Sequence, residues 1–104
     1  MAMDRLAMLR QLAERAAGDP FPQYGLAMEL RKRGAHDEAV AAFEVLATRH
    51  SAYVPGYLMY GNLLKELGRS DDARAVYDRG IEAAGRAGDQ HAQGELESAR
   101  AELS

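Results

Sequence analysis

No cysteine and no tryptophan occur in these 104 residues. Without thiols the chain has neither a disulfide framework nor a thiolate metal site. Positive charge is not in excess: 13 Lys and Arg stand against 16 Asp and Glu, a formal net charge of −3. A nucleic-acid surface needs concentrated cations to neutralise phosphates, so no nucleic-acid partner is expected. No apolar run approaches the roughly 18 residues of a spanning helix, so no membrane partner is expected either. From Met1 to Arg15 the residues Asp4, Arg5, Arg10, Glu14 and Arg15 interrupt the apolar core that a signal peptide requires. The expected location is cytoplasmic. Strand signals are missing as well, because no stretch alternates with a period of two for long enough.

What is present is a soluble balance of 47% apolar and 28% charged residues, in a length that fits one small domain. Within it one stretch says the same thing twice. Gly34, Asp37, Ala39, Ala41 and Phe43 recur 34 residues later as Gly68, Asp71, Ala73, Ala75 and Tyr77. Upstream, Ala27, Leu30 and Arg31 answer to Gly61, Leu64 and Lys65. A fixed period of this length marks a stacked repeat, in which each unit buries its apolar face against its neighbours.

Periodicity predicts about six helices. The first spans 4–17, with Leu6, Leu9, Ala13 and Ala16 at helical spacing and Met8 and Leu12 beside them. These span an arc of roughly 160°, wide for one buried face. Gly18 is expected to end it, and Asp19-Pro20 to cap and open the second helix. That helix turns Leu26, Ala27 and Leu30 inward and stops at Gly34. The third starts near His36, with Asp37 and Glu38 complementing its dipole, and buries Ala39, Val40, Phe43, Leu46 and Ala47. Pro55 opens the fourth, whose stripe is Tyr57, Tyr60, Gly61, Leu64 and Leu67. Ser70 is expected to cap the fifth, which carries Ala73, Val76, Tyr77, Gly80, Ile81 and Ala84 as far as Ala87. The sixth, over 89–103, has one narrow apolar face, Ala92, Leu96, Ala99 and Leu103, as a terminal capping helix needs.

The spacing of these small and aromatic residues resembles the tetratricopeptide repeat, a 34-residue helix–turn–helix family. With Gly34 and Gly68 as the turn glycines, the family's small residue of helix A falls on Ala27 and Gly61. The alanine of helix B falls on Ala39 and Ala73, and the following aromatic on Phe43 and Tyr77. The early aromatic of helix A is Tyr57 in the second unit but Gln23 in the first. The late alanine of helix B becomes Leu46 and Gly80, and Ser51 and Gly85 replace the closing proline. The resemblance implies an all-α, right-handed α-α superhelix of stacked antiparallel helix pairs. The expected layout is a single domain over 1–104: leading helix 4–17, repeats at 20–51 and 54–87, and a cap at 89–103.

No catalytic constellation stands out, and no enzyme, cofactor or metal is expected. Asp37-Glu38 and Asp71-Asp72 sit in first turns, where the helix dipole explains them. His91 and Glu95, four apart, form at most half a metal site. No glycine cluster could cradle a phosphate, since the glycines are spread through expected turns and helix crossings. Function is therefore expected on a surface. The resemblance places helix A residues on a concave face: Phe21, Tyr24, Met28, Arg31 and Lys32 from the first unit, and Pro55, Leu58, Asn62, Lys65 and Glu66 from the second. Such a face suits an acidic-apolar peptide segment or helix of a partner protein, with Tyr24, Met28 and Leu58 as anchors and Arg31, Lys32 and Lys65 as steering charges. The carboxylate clamp of chaperone-binding relatives is not matched, because Tyr24, Met28 and Met59 occupy its positions. The expected role is a protein-interaction scaffold or adaptor. The alternative is a self-associating assembly unit, a weak homodimer formed through the apolar first helix.

Overall fold

The computed structural model describes residues 4–103. Among them lie six helices and no strand: α1 Arg5–Arg15, α2 Pro20–Lys32, α3 His36–Arg49, α4 Pro55–Glu66, α5 Ser70–Ala87 and α6 Gln90–Ala101. The all-α expectation holds. The chain divides into two compact units, one ending at His50 and one beginning at Ser51. In the first unit α2 packs against both α1 and α3; in the second α4, α5 and α6 all pack on one another.

Both units use the same device to turn the chain between paired helices. After α2, the Gly34 N–H donates to the Arg31 carbonyl and the Ala35 N–H to the Leu30 carbonyl, each at 3.0 Å. After α4, Gly68 and Arg69 donate in the same way to Lys65 and Leu64. These bonds satisfy carbonyls left without partners at the helix end, and they require a residue at positive φ. Gly34 and Gly68 adopt φ of 77° and 76°. Only glycine does this without a Cβ penalty.

Two expected boundaries are wrong. Gly18 does not stop α1, which already ends at Arg15 with Ala16 as its cap, and Gly18 is not among the positive-φ glycines. Ser70 does not cap α5 but is its first residue; Arg69 precedes it and provides no side-chain cap. The chain enters α5 straight from the turn that closes α4, so the cap position is already taken. The Asp19 cap does form, and Asp89 caps α6; they accept from the backbone N–H groups of Phe21 and Ala92 at 3.0 Å.

The core of the first unit is Leu26, Ala27, Leu30, Ala39, Phe43 and Leu46, and that of the second is Tyr57, Tyr60, Leu63, Leu64, Ala73, Val76, Tyr77 and Leu96. Ala27, Ala39 and Ala73 have no exposed surface, as a close helix crossing demands. Burying an aromatic such as Phe43 or Tyr77 stabilises by about 1.5–3 kcal/mol. The buried arcs are wider than the single stripes expected. Leu63 and Ala83 are buried too, because α4 and α5 each touch two helices of their unit. Ala42 is buried as well, and the Gln23 amide reaches its carbonyl. Conversely Val40, Leu67, Ile81, Ala92, Ala99 and Leu103 are half-buried.

The departures from the repeat pattern compensate one another. A Cβ at Gly80 would lie 2.6 Å from the Tyr57 Cβ and 3.1 Å from the Leu96 methyls, so this glycine makes room for Tyr57 and α6. In the first unit the answering residues are Leu46 and Gln23, a larger residue on helix B and a smaller one on helix A. Gln23 is buried and donates to the Ala42 carbonyl at 2.9 Å. Tyr57 donates its hydroxyl to the Ser51 carbonyl at 2.7 Å.

Candidate functional site

In the second unit α4 and α6 enclose an open groove of about 920 Å³. From α4 it is lined by Leu58, Asn62, Lys65 and Glu66, and from α6 by Gln90, His91, Gly94, Glu95, Ser98, Ala99 and Glu102. Residues 58, 62 and 66 fall four apart and therefore share one helix face. The four α4 residues expected on a binding face from the second unit, Pro55 apart, thus gather in one place. Pro55 is exposed at the start of α4, outside this groove.

Asn62 is fixed by the core behind it. The Tyr77 hydroxyl donates to its Oδ1 at 2.6 Å, which leaves the two N–H donors of the amide for an acceptor in the groove. The Tyr77 ring reaches this position across Gly61, where any Cβ would collide with it. The first unit carries Met28 and Phe43 at the answering positions, an apolar pair in place of a polar one.

The charges of the groove differ from those expected of α4 alone. Lys65 Nζ lies 3.7 Å from a Glu102 carboxylate oxygen, and His91 Nε2 lies 3.2 Å from Glu95. Glu66 lines the groove beside these two pairs. The α6 contribution was missed because its apolar positions, which carry the periodic signal, face the core. Its polar residues follow no pattern that separates a lined groove from a solvated face.

Gly94 was misjudged too. It sits in the interior of α6, at neither a turn nor a crossing, and a Cβ there would meet nothing within 4 Å. A glycine inside a helix costs roughly 0.5–1 kcal/mol relative to alanine. No packing within the described residues offsets that cost. It leaves bare backbone in the groove.

In the first unit Tyr24, Met28 and Lys32 line a smaller concavity of about 630 Å³ with Arg5, Gly25 and Glu29. Phe21, exposed by 65%, and Arg31 lie outside it. Glu29 is the residue that sequence reasoning missed here: it is buried at the position where the second unit has Leu63. It accepts from Arg5 Nε at 3.0 Å and Arg33 Nε at 2.9 Å, while Arg33 also donates to Asp4 at 2.8 Å and 3.1 Å. The Arg33 guanidinium holds the Glu29 and Asp4 carboxyls below their ordinary values, outweighing the opposing effect of burial, and is itself held protonated by them. The pattern hid this because Glu29 and Arg33 look like an ordinary solvated i,i+4 pair.

Among the described residues no three His, Asp or Glu side chains gather as a metal site, and no helix is long and apolar enough to cross a membrane. Residues 54–86 match the family model for the tetratricopeptide repeat. An uncharacterized protein of Rhizobium meliloti is 35% identical over 78 residues, which cover 75% of this chain but 18% of that protein. The chain therefore spans under a fifth of that relative's length. Two solved structures of a tetratricopeptide repeat domain protein from Salinibacter ruber are similar, each 40% identical over 79% of this chain. The solution structure gives a TM-score of 0.75 with 83% of its chain covered, and the crystal structure 0.72 with 92%. With its 34-residue period, its paired helices and these likenesses, the chain belongs to the tetratricopeptide repeat family.

Proposed function

We propose that this chain is a non-enzymatic scaffold or adaptor that holds a segment of a partner protein on the helix A faces of its repeats. Repeats of this family generally mediate protein–protein interaction. On this reading 20–51 and 54–87 are two successive repeats, 4–17 is a leading helix, and 89–103 is a capping helix. The groove between α4 and α6 is the principal seat, and the concavity with Tyr24, Met28 and Lys32 is a second contact. The observation that carries the reading is the convergence of Leu58, Asn62, Lys65 and Glu66 on one groove, with Asn62 held in place by Tyr77. A photo-crosslinking residue placed at Leu58 or His91 should capture a partner from cells, and the same residue at Gly85 on α5 should not. Capture from Gly85 alone would move the docking face elsewhere.

A second reading is favoured by α1, where Met8 and Leu12 are 48% and 46% exposed, one helical turn apart. A dimer that Leu12→Glu converts to monomer in light scattering would establish self-association through this helix. A monomer at high concentration would dismiss it.

A further inference from the structure

We infer that the cleft between α1 and α3 binds a small uncharged molecule: a compact apolar body of one or two rings, carrying an N–H or O–H donor for the Gln23 side-chain oxygen. The site lies wholly within the first unit and does not depend on where a partner docks.

The sequence sets up the cleft by placing small residues on both of its walls. α1 and α3 flank α2, and Ala13 on α1 and Ala41 and Ala42 on α3 line the space between them. Alanine side chains fill little of it. What remains is a cavity of about 360 Å³, at the lower end of the roughly 300–1,000 Å³ range of small-molecule pockets. Leu26 and Leu30 of α2 line it too, so an apolar body entering here exchanges water for hydrocarbon.

The polar feature of the lining is Gln23, only 7% exposed. Its Nε2 donates to the Ala42 carbonyl at 2.9 Å. A carbonyl can only accept, so this bond fixes the amide with its nitrogen toward α3 and leaves Oε1 as the free end. No described residue donates to Oε1. Among the described residues no sealed polar atom lacks a partner, so Oε1 is reached from outside, through the cavity that Gln23 lines. Glu29, the other buried polar residue, differs: Arg5 and Arg33 engage both of its carboxylate oxygens. An acceptor held in place without a donor selects a ligand that brings one, because an analogue lacking it leaves the oxygen unpaired.

The charges around the cleft are balanced. Arg10 on α1 lies 2.7 Å from Glu38 on α3, and Glu14 and Arg49 supply one further acid and one further base. With two charges of each sign, the lining favours neither a cation nor an anion, and the ligand is uncharged.

Four probes of one ring system test this on the full chain: indole, 1-methylindole, tryptamine and indole-3-acetate. Amide shifts in NMR titrations read both location and affinity. Indole should shift Ala13, Gln23, Ala42 and Val45, and should bind about fivefold more tightly than 1-methylindole, which lacks the donor. Gln23→Leu should bring these two probes to equal affinity. Val45→Phe and Ala41→Phe, each adding bulk to the lining, should abolish the shifts while circular dichroism shows unchanged helices. Equal binding of indole and 1-methylindole by the parent would mean that Oε1 serves bulk water alone, and the ligand class falls. Tighter binding of tryptamine or indole-3-acetate than of indole overturns the uncharged ligand. If no probe moves these four amides, or if both filled variants bind indole as the parent does, the site itself falls.

Discussion

The sign of a glycine substitution depends on what the missing Cβ makes room for. Gly61→Ala would drive a methyl group into the Tyr77 ring and should destabilise by about 1–3 kcal/mol. Gly85→Ala meets nothing within 4 Å in the interior of α5 and should stabilise by roughly 0.5–1 kcal/mol. Chemical denaturation of the two variants reads both signs, and equal shifts would contradict the packing described. Leu64, 1% exposed, should cost about 2–5 kcal/mol as Leu64→Ala through the cavity it leaves. Ala73→Leu should cost about 1–3 kcal/mol by overpacking the crossing of α4 and α5. A melt resembling the parent's in either variant would remove that residue from the core. The positions of Ala27, Gly61, Ala39 and Ala73 were legible in the sequence because smallness at a crossing repeats with the period. The exchange of Tyr57 and Gly80 for Gln23 and Leu46 was not. Each member looks like a lapse alone, and the compensation is a property of volume shared across two helices.

Helix ends divide in the same way. The stops after α2 and α4 could be read from Gly34 and Gly68, since positive φ selects glycine strongly. The end of α1 could not, because Ala16 leaves the helix without a residue that marks the event. The link from α1 to α2 was equally hidden: four charged residues, Asp4, Arg5, Glu29 and Arg33, join the start of α1 to the far half of α2. The folded-state pKa values of Glu29 and Asp4 are depressed, so their contribution is present above the ordinary carboxylate range near pH 4 and is lost as pH falls through the lower folded values. Arg33→Met should therefore lower the melting temperature at pH 7. The gap to the parent should narrow as the pH falls below the ordinary carboxylate range. A gap that stays constant with pH would mean that Arg33 acts through packing of its stem instead.

For the molecule as a whole, the repeat identity was legible because a period is a global property of the chain. The α4–α6 groove was only half legible. Its α4 side follows the repeat, whereas its α6 side consists of polar residues with no rhythm. Asn62 bonds to Tyr77 between helix A and helix B of the second unit, where the first unit has Met28 and Phe43 at the answering positions. Asn62→Met removes the acceptor that the Tyr77 hydroxyl uses, and Tyr77→Phe removes the donor. The double variant reproduces the first unit's pairing and should be more stable than the sum of the single losses predicts, by about 1 kcal/mol. Additive losses would mean that the bond contributes nothing to stability. Homogenising the two copies one codon at a time would thus pass through mismatched intermediates less stable than either end. Divergence between such twins resists reversal, and an array lengthened by duplicating either unit would inherit that unit's own lock.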